Sequence, residues 1–124
     1  MKHELKITFE GKFVQIISNG EKSFETSLKI WTQTLKICRE KNCYRVLGLA
    51  NSTKAPTTIE SYQHGALFHQ IKIDHKFKIA WIEQNPKAVE SLKFLETVLL
   101  NRGYNVKLFK EVSNAKNWLL TEDQ

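Results

Sequence analysis

Several residue types that anchor particular functions are scarce in this chain. Cysteine occurs twice in 124 residues, as Cys38 and Cys43. A chain of this length buries about two-thirds of its unfolded surface in one core and needs no disulfide staple, so the pair reads as free, reduced thiols of a cytoplasmic protein. Aspartate occurs only as Asp74 and Asp123, neither directly after an apolar run. That excludes the phosphoacceptor and acidic metal pocket of a receiver domain. The five glycines, at 11, 20, 48, 65 and 103, stand apart from one another, and neither a P-loop nor a dinucleotide fingerprint can be built from them. No apolar run reaches the roughly 18 residues of a membrane span. Met1-Lys2-His3-Glu4 leads straight into an alternating pattern, unlike a secretory signal.

Histidine is also thin on the ground: His3, His64, His69 and His75. His64 and His69 are five apart, about 140° around a helix, so they cannot hold one metal from a shared face. No metal and no cofactor are implied. Ser52 and Ser61 have hydroxyls in the same part of the chain as these histidines, but no nucleophile elbow surrounds them, and no enzyme is expected. The formal charge of +6 comes from Lys and Arg spread among acids. A nucleic-acid reader gathers its cations on one face, and no nucleic-acid partner is expected here.

What the chain does contain is organised around Tyr44–Ile71. Tyr44-Arg45-Val46-Leu47-Gly48-Leu49-Ala50 is a nearly unbroken apolar run, suited to a strand buried on both faces. The polar turn Asn51-Ser52-Thr53-Lys54-Ala55 follows, and then a helix start at Pro56-Thr57-Thr58-Ile59-Glu60. Thr57 and Glu60 have the spacing of a capping box. A buried parallel strand leading through a polar loop into a helix is where open α/β folds place ligands.

The remaining elements read in order. Leu5–Glu10 alternates as a half-buried strand, and Phe13–Ile17 returns after the Gly11 turn as its antiparallel partner. Ser23 caps a long helix whose face is Phe24, Leu28, Trp31, Leu35 and Cys38, with Ile30 and Ile37 widening it. The helix Thr58–Ile71 carries two apolar stripes, one of Ile59, Tyr62, Ala66 and His69, the other of Leu67 and Ile71 with Phe68 nearby. The pattern does not choose which stripe faces the sheet, and leaves the other for a ligand, a partner or a second subunit. Phe77–Ile82 is a strand, Asn85-Pro86 starts a helix that stops at Arg102-Gly103, Tyr104–Phe109 is the last strand, and Val112, Ala115 and Leu119 line a short helix.

The expected fold is one α/β domain over residues 1–124, in the order β-β-α-β-α-β-α-β-α. It has a mixed, mostly parallel five-stranded sheet, an amino-terminal β-hairpin and helices on both faces. Trp31, Leu35, Leu47, Leu49, Ile79, Leu92, Leu95 and Leu99 are expected in the core. Phe94 and Leu100, at the edges of a wide apolar sector, together with Phe68, suggest a joined patch and a homodimer.

An amino-terminal hairpin, a long helix after Asn19-Gly20, three further strand–helix units and a closing Ala-x-x-Trp-Leu (Ala115, Trp118, Leu119) resemble the small bacterial SpoIIAA-like proteins. Their fold is that of the STAS domain of anti-sigma-factor antagonists, and the group is also compared with CRAL-TRIO lipid-transfer domains. The resemblance spans nearly the whole chain and implies an interaction or regulatory module with a protein partner. The CRAL-TRIO comparison implies instead a carrier of a small apolar or lipid-like ligand. Phosphorylatable antagonists carry Asp-Ser-Ser/Thr-Gly at the start of the helix after the central strand. Here Glu60-Ser61 is the nearest echo, followed by Tyr62 and Gln63 with no glycine.

The candidate ligand or phosphorylation loop is therefore Asn51, Ser52, Thr53, Lys54, Thr57, Thr58 and Ser61. It offers hydroxyls, an amide and a cation beside a helix amino terminus, where anions are favoured. The same residues also serve to cap the helix and satisfy the turn. On that reading Thr57 is structural, and Ser52 or Thr58 is the better placed for a switch.

Overall fold

The computed structural model describes residues 4–20 and 23–121; His3 and Asp123 lie outside the described residues. Strands β1 (Glu4–Phe9) and β2 (Val14–Gly20) lead into α1 (Phe24–Lys41), β3 (Arg45–Ser52) and α2 (Thr58–Gln70). They are followed by β4 (Lys78–Glu83), α3 (Pro86–Asn101), β5 (Asn105–Phe109) and α4 (Val112–Leu120). This is the order expected from the sequence. β1 and β2 pair antiparallel, and β2 through β5 run parallel in a sheet ordered β1-β2-β3-β4-β5.

Because each parallel strand is laid beside the last in one direction, right-handed crossovers place their helices on one face of the sheet. The packing follows that rule. Trp31 and Leu35 of α1, Leu67 and Phe68 of α2, and Leu92, Leu95 and Leu99 of α3 join one core with Val14, Ile16, Val46, Ile79, Trp81 and Val106. The other face packs Leu47, Ala80 and Ile82 against Ala115 and Leu119 of α4 alone. Helices do cover both faces, three on one and one on the other. The strand order never reverses inside the parallel region, so no topological switch point opens at the end of β3.

Of the eight expected core residues, seven are buried; Leu49 is half-buried at the margin of the α4 layer. Phe68 is fully buried, its ring edge-on to Trp31 and Tyr104, and so contributes to no surface patch. Phe94 and Leu100 are exposed but six residues apart, on different sides of α3.

The closing Ala-x-x-Trp-Leu has a packing role. Ala115 and Leu119 are wholly buried, while Trp118 tilts against Phe109. Two cations hold the carboxyl end of α4, where carbonyls lack helical partners. Arg45 donates to the Leu119 carbonyl at 3.0 Å. Lys78, itself buried beneath the Trp118 ring, donates to the Thr121 carbonyl at 2.9 Å.

Both cysteines are free. Burial, with Cys43 nearby, pushes the Cys38 thiol up to about 12. A thiol raised in the folded state leaves stability untouched below its unfolded pKa and withdraws it as pH climbs from about 9 toward 12. The urea midpoint is therefore expected to fall between about pH 8 and about pH 10.5, and less so in Cys38→Ala. At neutral pH a thiol reagent should label Cys43 and reach Cys38 only on unfolding. Equal labelling of both in the native protein would contradict the burial.

Candidate functional site

The sequence places a turn at Asn51-Ser52, but β3 runs through both. The strand stays paired with β2 to its end, Asn51 opposite Asn19 and Ser52 opposite Gly20, and a partner thirty-one residues away in sequence fixes that end. The Glu83 carboxylate accepts from the Ser52 hydroxyl at 2.6 Å, from the Ser52 N–H at 2.9 Å and from the Asn85 N–H at 3.1 Å. Asn85 in turn donates its side-chain amide to the Ser52 carbonyl at 2.6 Å while its oxygen caps α3 by accepting from Lys87 N–H. Ser52 is buried and its hydroxyl is committed, which ties the ends of β3 and β4 to the start of α3. Asn51, Thr53 and Lys54 point into solvent, and the Thr53 N–H bonds the Gly20 carbonyl. Glu83 was not singled out in the sequence. Its signal was a carboxylate directly after the apolar run Ile79–Ile82.

Thr57 is the N-cap of α2, as its spacing from Glu60 predicts. Its hydroxyl accepts from Glu60 N–H at 3.1 Å, and the Glu60 carboxylate accepts from Thr57 N–H at 3.0 Å. Thr57→Ala is expected to cost about 0.5–2 kcal/mol in chemical denaturation. A wild-type midpoint would show that water caps this helix equally well. Thr58 stands exposed in the first turn. Ser61 is buried, and its hydroxyl has no hydrogen-bond partner among the described residues. The seven candidates thus divide: Ser52, Thr57 and Ser61 are turned into the fold or its caps, and Asn51, Thr53, Lys54 and Thr58 remain at the surface.

The structure also resolves which stripe of α2 faces inward. Leu67 and Phe68 pack on the sheet, with Ser61, His64 and Gly65 beside them; Ile71 is the C-cap just past the helix. His64 is buried with them. Its Nδ1 lies 2.7 Å from the Glu60 carbonyl, which can only accept, so Nδ1 carries a proton. The other ring nitrogen, Nε2, lies 2.8 Å from the Ser27 hydroxyl of α1. That contact lets a polar residue sit between two helices, and it turns Ile59, Tyr62, Ala66 and His69 outward.

The outward stripe is apolar over most of its length. Ile59 is 71% exposed and Tyr62 53%, and the Tyr62 ring stands edge-on to Phe94 of α3 at 5.7 Å between centroids. Beside this pair lies an open cleft of about 230 Å³, lined by Pro56, Thr58, Ser61, Glu90, Ser91 and Phe94. Ser61 lines the cleft, but its hydroxyl oxygen is itself closed off from solvent.

A second, apolar cavity lies between the sheet, α2 and α3, bounded by Trp31, His64, Phe68, Trp81, Leu95 and Leu108 among others. It measures about 60 Å³, about two water volumes, whereas ligand pockets run to about 300–1,000 Å³. A lipid chain does not fit in this conformation. Among the described residues no group of three or more His, Cys, Asp or Glu could hold a metal ion, and no helix is long and apolar enough to cross a membrane.

Compared with known proteins, the chain matches no family model, no curated protein and no solved structure.

Proposed function

We propose that this chain is a protein-interaction module of the STAS type, engaging its partner through the outward face of α2 and the adjoining side of α3. One observation carries the reading: the stripe of Ile59 and Tyr62, met edge-on by Phe94, is apolar and exposed although α2 has a complete inward face of its own. Isolated exposed apolar residues are ordinary, but a joined row beside a cleft marks an interface, and tyrosine is a frequent anchor there. The amino-terminal turn of α2 contributes Thr58, an exposed hydroxyl of this face that a modifying enzyme could reach. A phosphate there would sit at the positive end of the helix dipole and leave the fold intact while recharging the surface. Carriage of an apolar ligand would require the small cavity beneath α2 and α3 to open several-fold.

The test is affinity capture from a native lysate using wild type, Tyr62→Glu, Thr58→Asp and the control Leu28→Glu, whose site is a comparably exposed apolar residue on α1. Wild type and the control should retain the same protein, Tyr62→Glu should lose it, and Thr58→Asp should change its recovery with little shift in melting temperature. An identical set of retained proteins across all four variants would refute the reading.

A further inference from the structure

The α2–α3 face carries a charge pattern that defines its partner more narrowly. Gly65 of α2 leaves room for a side chain from the neighbouring helix end. Arg102 fills it, with Nε and Cδ only 2.7 and 2.8 Å from where a Gly65 methyl group would stand. The guanidinium is thus laid on α2 one turn from Tyr62. Among the described residues, no carboxylate lies within ion-pair range of it. Lys87, seven residues before Phe94, shares that residue's side of α3 and is likewise without a carboxylate. The two carboxylates of the face are already engaged. Glu60 closes the α2 cap, and Glu90 pairs with Lys93 at 3.4 Å. Two cations without carboxylate partners among the described residues, Arg102 and Lys87, therefore flank an apolar row.

We infer that this face receives an acidic amphipathic segment of a partner protein. Apolar side chains of the segment would lie on Ile59, Tyr62 and Phe94. A carboxylate would meet Arg102 bidentately. A second copy of this chain fits poorly, since it carries the same cations and the same net charge of +6. The inference rests on the interaction reading above and adds the chemistry of the partner.

Selection of random phage-displayed peptides on the wild-type protein tests it, followed by anisotropy of the most enriched synthetic peptide. The enriched sequences should combine Asp or Glu with Leu, Ile or Phe at helical spacing, and binding should weaken with added salt. Arg102→Glu should reduce affinity by about tenfold or more, and exchanging the peptide's acids for lysine should recover it on that variant. Gly65→Ala keeps every charge and favours the helix, yet displaces the guanidinium, and should also weaken binding. Peptides lost with Tyr62→Ala but lacking acidic bias and indifferent to Arg102→Glu would overturn the acidic partner and leave the interaction face standing. No enrichment, or binding unmoved by either Tyr62→Ala or Arg102→Glu, would remove both. Displacement of the peptide by random-sequence duplex DNA at physiological salt would overturn the proposal in favour of phosphate recognition.

Discussion

Gly48→Ala is expected to lower the melting temperature by roughly 10–15 °C, about 3 kcal/mol or more of overpacking. Gly48 lies in the central strand directly under Trp81, and a methyl group there would stand 1.9 Å from Cε3 and 2.2 Å from Cζ3 of the indole. The ring can retreat only toward the small apolar cavity of about 60 Å³ that it borders, and only by disturbing its aromatic neighbours. Trp81 is packed beside Trp31, Trp31 meets Phe68, and Phe68 meets Tyr104, an aromatic row running beneath α1 and α2 out to β5. The double variant Gly48→Ala/Trp81→Leu should lose less than the sum of the two single changes, because the second removes the atoms that the first strikes. Thermal and urea unfolding of the three variants measure this. A wild-type midpoint for Gly48→Ala would mean that the aromatic row is loosely packed.

Glu83→Ala is expected to cost about 3 kcal/mol, with Glu83→Gln losing less. The carboxylate satisfies the Ser52 hydroxyl, the Ser52 N–H and the Asn85 N–H together. Removing it strands donors where β3, β4 and α3 converge, whereas the amide keeps one acceptor oxygen. Hydrogen exchange should report the same event locally, with faster exchange at Ser52 and Asn85 than in β1. Loss of stability without that local signature would place the effect elsewhere.

The element order was legible because each element has a strong local signal. Periodicity gives α1 and α3, alternation gives β1, and the Thr57–Glu60 and Asn85-Pro86 caps fix two helix starts. The end of β3 was not legible. Asn51-Ser52 is turn chemistry by itself, and only pairing with Asn19-Gly20 of β2, together with the distant carboxylate of Glu83, makes it strand. The two stripes of α2 are equally apolar in sequence. What decides between them is packing between elements: Leu67 and Phe68 are buried, and His64 lies against Ser27, thirty-seven residues away, a contact that no local pattern shows. Ser52 looked accessible because loop hydroxyls usually are; its burial follows from the strand extension. Arg102 was recognised only as a helix-stop residue, since nothing local shows that its side chain lies across Gly65.

The outward face of α2 as the binding surface is tested most directly by photo-crosslinking in the protein's own cell. A photo-reactive phenylalanine analogue is placed, one position at a time, at Tyr62, Phe94, Leu28 and Val112, of which the last three are 38%, 40% and 40% exposed and Tyr62 somewhat more. Exposure alone would therefore give similar yields at Phe94, Leu28 and Val112. The account expects one common adduct at Tyr62 and Phe94 and none at Leu28 or Val112. Adducts of equal yield at all four positions, or at Leu28 or Val112 with none at Tyr62, would contradict it.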